Sequence, residues 1–96
     1  MGQVAALVDI AERLSEYDVN ATIYASQPWT ETSDAIVALE PETGGLPAVA
    51  SQAGMKYFLE VGIASDFAED WVAFQKEKPS LSAICRRLIQ YAINDA

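Results

Sequence analysis

Tyr57-Phe58-Leu59-Glu60-Val61-Gly62-Ile63 is the stretch on which the fold turns. Its residues alternate with period two: Tyr57, Leu59, Val61 and Ile63 share one face, and Phe58 and Glu60 share the other. That spacing predicts a strand over residues 57–63. A helix is expected directly after it. Ser65-Asp66 offers an N-cap, and Asp66 with Glu69 three residues on resembles a capping box. Phe67, Trp71 and Phe74 form an apolar stripe with Val72 beside it, and Lys76 and Lys78 near the far end complement the helix dipole. Pro79-Ser80 breaks this helix and caps the next. The last helix has Leu81, Ile84, Cys85, Leu88 and Ala92 at spacings of three and four, widened by Ile89 and Ile93. Arg86, Arg87, Gln90 and Asn94 face away.

Working back towards the N-terminus, Ala35-Ile36-Val37-Ala38-Leu39 reads as a strand buried on both faces. Residues 21–25 form another, with Ala21, Ile23 and Ala25 on one face, stopped by Pro28, which has no N–H for a central ladder. Residues 40–45, with Pro41, Gly44 and Gly45, are a loop. Residues 46–55 are either a long loop or a short helical turn. Val4, Leu7, Val8, Ala11 and Leu14 predict an amphipathic helix over residues 3–16, with Asp9, Glu12, Arg13 and Glu16 on its outer arc. The order is α-β-β-β-α-α in one domain of residues 1–96. Strands bracketed by helices, with crossovers mostly too short to hold a helix, give an α+β class. The expectation is a mostly antiparallel three-stranded sheet with helices packed on one face.

Composition narrows the chemistry. The 96 residues hold fourteen acidic and six basic side chains, for a net charge of -8. Hydrophobic residues are 51% of the chain, too many for a disordered acidic tail. An acidic surface argues against nucleic acid, which calls for a basic face. With no histidine, a Ser-His-Asp triad, a Cys-His pair and a histidine metal site are excluded. Neither 30–34 nor 40–44 has the acidic spacing of a calcium loop, and Gly44-Gly45 lacks the lysine and spacing of a phosphate loop. No metal or cofactor is expected. Cys85 reads as a small core side chain; the other reading, a reactive thiol beside Arg86 and Arg87, has no histidine base. Asp9 interrupts the N-terminal apolar run, no basic segment precedes it, and no apolar run reaches the length of a membrane span. A cytoplasmic chain, monomeric or homodimeric, is expected.

The loop Ser26-Gln27-Pro28-Trp29-Thr30 stands out. Trp29 is either an interface residue, since tryptophan buries much area at little entropic cost, or a lid folded over one end of the core. Glu60, inside an apolar strand, is a general acid or base if buried, a contact for a basic partner, or a solvated residue of the exposed sheet face. Asp66, Glu69 and Asp70 read as an acidic first helical turn. Arg86 and Arg87 are a solvated face making local ion pairs, an anion contact, or a homodimer contact with the acidic surface. No pairing of carboxylate, tyrosine, lysine or Cys85 is recognisable as catalytic machinery, so a non-enzymatic role is expected. Two roles remain: a protein-interaction module with an acidic docking surface, and a small-molecule regulatory domain. The second would have a pocket between sheet and helices lined by Tyr24, Trp29, Tyr57 and Phe58.

The chain resembles the small acidic immunity proteins that neutralise bacterial toxins. The resemblance lies in its size, its excess of acid, the run Ile23-Tyr24-Ala25-Ser26-Gln27-Pro28-Trp29 leading to Ala35-Ile36-Val37, then Phe58-Leu59-Glu60-Val61 and Asp70-Trp71. It implies a basic toxin, such as a nuclease, as partner. Trp29, Glu31, Asp34, Glu60 and Asp70 would be the candidate contacts, and no residue would be catalytic.

Overall fold

A computed structural model describes residues 4–39 and 47–95. The elements are β1 (Ala5–Ala6), α1 (Leu7–Glu12), a 3-10 turn (Leu14–Glu16), β2 (Thr22–Ser26), β3 (Asp34–Ala38), α2 (Ala48–Gln52), β4 (Met55–Glu60), α3 (Val61–Ala73) and α4 (Leu81–Asp95). The class is α+β, and the strands form one antiparallel sheet in the order β1-β3-β2-β4. The sheet has four strands where three were expected. Ala5 and Ala6, read as the start of the first helix, pair instead with Ala35 and Asp34, so that helix shrinks to α1 and the 3-10 turn. Residues 48–52 are the short helical turn, while the loop expected over residues 40–45 lies outside the described residues.

The largest correction falls in the stretch that decides the fold. β4 ends at Glu60, and α3 begins at Val61 with no loop between. Val61 and Ile63 are therefore helical, and Asp66, Glu69 and Asp70 lie on the second and third turns, away from the N-terminal end of the dipole. Glu60 occupies the N-cap without a side-chain hydrogen bond. The helix's first N–H groups are met by backbone instead: Val61 N donates to Ala21 O at 2.9 Å and Gly62 N to Val19 O at 3.1 Å. A Cβ on Gly62 would stand 3.2 Å from Val19 O, so this close approach favours glycine. α1 starts in the same way, with Leu7 N on Ser33 O and Val8 N on Glu31 O, both at 2.9 Å. Orphan helical donors need acceptors, but nothing requires a local side chain to supply them. At α4 a local side chain does so, as expected: Ala83 N donates to Ser80 Oγ at 3.1 Å.

Two cores result, one on each face of the sheet. Ile23 and Ala25 of β2, Ala35 of β3 and Phe58 and Leu59 of β4 pack beneath Leu7, Ile10, Leu14, Cys85 and Leu88 of the helical layer. An irregularity in the β2–β4 register makes this possible. Ile23 faces Leu59 while Tyr24 faces Tyr57, leaving Phe58 as the extra residue of a bulge. Two consecutive large side chains thereby enter the same core, which strict alternation forbids. On the opposite face Tyr24, Ile36 and Met55 pack with Ala50 of α2. Helices therefore cover both faces, not one. Gly54, at φ +72°, turns the chain from α2 into β4, a backbone conformation glycine adopts without a Cβ clash.

Candidate functional site

The Trp29 loop is built as a plug. Ser33 Oγ accepts from Thr30 N at 2.8 Å and donates to Pro28 O at 3.2 Å, while Ser33 N donates to Thr30 O at 3.1 Å. This closes residues 28–33 on themselves. The indole Nε1 of Trp29 donates back to Ala25 O at 3.2 Å. Its ring meets Phe58 edge-on, with centroids 5.0 Å apart at 88°, an arrangement that aligns ring edge with ring face. Trp29 is half-buried and packs against the helix-side core. Its outer side borders a surface hollow with Gln27, Pro28 and Ile93.

The candidate contact residues do not form one patch. Trp29, Glu31 and Asp34 lie on or beside the β2–β3 connection. Glu60 pairs with Thr22, at the other end of β2. Four strand steps separate these ends, about 13 Å. Glu60 is exposed, and Asp70 is exposed on α3. Glu31 is engaged, with Arg86 Nε 3.8 Å from its carboxylate. Arg87 stands over the Phe67 ring, 5.6 Å from its centroid, and Phe67 in turn stacks on Tyr91 at 4.3 Å. The two arginines thus have partners within the chain.

The expected pocket residues divide as well. Phe58 belongs to the helix-side core, whereas Tyr24 is buried in the core of the other face and Tyr57 lies opposite it in register. The sheet runs between them, so these side chains do not line a common cavity. Trp71 is half-buried and Phe74, expected in the same core stripe, is 86% exposed just past the end of α3.

Cys85 is fully buried on α4. Its thiol is pushed up to about 11 from 9.0, chiefly by desolvation and secondarily by the negative charge of Glu31. It is a neutral core side chain at ordinary pH.

A feature missed in the sequence lies between the helices. A groove of about 500 Å³ runs between α1 with its 3-10 turn and α3. Ala11, Leu14, Ala68, Val72 and Ile84 make its apolar surface, and Glu12 and Glu69 stand on its opposite walls. Glu12 reads in sequence as part of an outer arc and Glu69 as a capping residue. The available signal was slight: Ala11, Ala68 and Ala73 are small side chains that fill little of the space between the elements.

Among the described residues no helix is long and apolar enough to cross a membrane. Nor, among them, does any group of three or more aspartate, glutamate or cysteine side chains stand where it could hold a metal ion. Compared with protein-family models, with curated proteins and with solved structures, the chain matches none.

Proposed function

We propose that this chain is a non-enzymatic protein-interaction module whose acidic surface docks a basic protein partner, in the manner of an immunity or antitoxin-type protein. One observation carries the reading. Every carboxylate side chain whose exposure is described is exposed, apart from half-buried Glu31, and the single ion pair among the described residues is the one Glu31 makes with Arg86. The negative charge of the described acidic side chains is thus largely presented to solvent and not consumed within the fold. Such a field speeds encounter with a basic partner and disfavours acidic ones.

The test is capture of partners from the native host at a series of salt concentrations. A defined basic protein retained at low salt and released progressively as salt rises is the expected result, because screening weakens exposed charge pairs. Retention indifferent to salt, or no basic protein retained, counts against the reading. Trp29→Ala is a poor control bait, because it removes the lid over Phe58. Asp34→Lys and Glu60→Lys alter charge at exposed positions and leave the cores intact.

A further inference from the structure

We infer that the groove between α1 and α3 seats a basic amphipathic helix of the partner, an inference that rests on the interaction-module reading above. The groove joins two properties. Its surface is apolar, and its rim carries one carboxylate on each wall, Glu12 and Glu69, with no lysine or arginine among its lining residues. An apolar occupant without charge would leave both carboxylates unanswered, and a basic segment without an apolar face would leave half-buried Val72 and Ile84 wet. An amphipathic helix with lysine or arginine beside its apolar stripe answers both, which is the helix-in-groove mode of recognition.

The dimensions agree. On α3 the wall is made by Ser65, Ala68, Glu69, Val72 and Ala73, one helical face at spacings of three and four. From Ser65 to Ala73 it extends about 12 Å, a little over two helical turns. Ala11, Ala68 and Ala73 project little from the walls, so an incoming helix can approach closely along that length. Further carboxylates, Asp66 and Asp70, lie on the same helix and are exposed, extending the negative field beyond the rim.

The probe is a synthetic amphipathic helical peptide with a Leu/Ala stripe flanked by lysines, titrated into the isotope-labelled chain and followed by NMR. The comparison peptide has the same composition, scrambled to remove the apolar face. Shifts centred on Ala11, Ala68 and Val72 are expected, with the scrambled peptide binding about tenfold more weakly. Glu12→Lys with Glu69→Lys should weaken binding by about tenfold or more, whereas Asp34→Lys with Glu60→Lys should change it less than about twofold. Ala73→Trp, at an exposed groove position, should block binding without altering charge. The spectra of the free variants check that each is folded. Equal affinity for both peptides, or shifts centred on the Trp29 loop, overturns the groove as the site while leaving acidic docking standing. Concentration-dependent shifts in the groove without peptide overturn it in favour of a second copy of this chain. The absence of salt-sensitive binding by either peptide also overturns the groove as a seat for a basic helix, while capture at varied salt tests the interaction-module reading separately.

Discussion

Among the described residues, the two faces of the sheet are covered unequally. On one, α1, α3 and α4 lie over Ile23, Ala35, Phe58 and Leu59, and the Trp29 loop closes the end. On the other, the described cover is α2, a five-residue helix over Tyr24, Ile36 and Met55, and Tyr57 there remains 43% exposed. Burial of apolar area is the main favourable contribution to folding and scales with the area removed from water. The helix-side core therefore holds the fold together, and the thin side adds a smaller increment that is easier to open. The groove belongs to the thick side, so a docking surface there rests on the most stable part of the molecule.

The sharpest way to break this contrast is Phe58→Ala. Phe58 is fully buried at the bulge and supports Trp29, and its truncation should cost about 3–5 kcal/mol. Denaturant unfolding measures the loss, and Trp29 fluorescence should report a looser lid. A cost below about 1 kcal/mol would mean that the thick core readily collapses around the gap.

A second test asks how dry that core is. Cys85 titrates at about 11 in the fold against 9.0 in its ordinary state. The raised value means that the folded state disfavours the thiolate. Its contribution is fully present below pH 9 and is lost between about pH 9 and 11, as the unfolded chain ionises first; the loss is on the order of 2 kcal/mol. The difference in stability between wild type and Cys85→Ala, followed through that window, isolates it from the tyrosines. A difference that stays flat with pH would show that water reaches the thiol.

Met55→Ala probes the thin face and should cost about 2 kcal/mol, the low end for a buried methionine, because α2 can settle into the gap. If it costs as much as Phe58→Ala, the two faces are energetically alike and the contrast fails.

β2 and β3 were legible to within a residue, because polar stretches and Pro28 mark their ends. α4 was legible because Ser80 caps it locally and its stripe is continuous. The β4–α3 boundary was hidden for a physical reason: the acceptors for Val61 N and Gly62 N are carbonyls of Ala21 and Val19, some forty residues earlier in the chain, and Val61-Gly62-Ile63 continues the composition of the strand. β1 was hidden because two alanines carry no period, and their pairing with β3 is a tertiary event. In the candidate site, Trp29 was singled out for its setting, and the structure makes it a half-buried lid that still borders a hollow. The groove acids were visible as charges but not as neighbours, since Glu12 and Glu69 come to opposite walls of one groove only when the 3-10 turn packs beside α3.

The inequality of the sheet's edges bears on self-assembly. β1 offers two residues before the chain coils into α1, whereas β4, at the other edge, offers six. Indefinite strand-to-strand polymerisation needs two competent edges on every copy. Among the described residues β4 is the longer edge, while on the other side β1 pairs only with Asp34 and Ala35 of β3. A second molecule adding antiparallel along β4 would use both long edges at once and close a two-fold pair. Growth along β4 would end there, because such a pair uses the longer described edge of both copies.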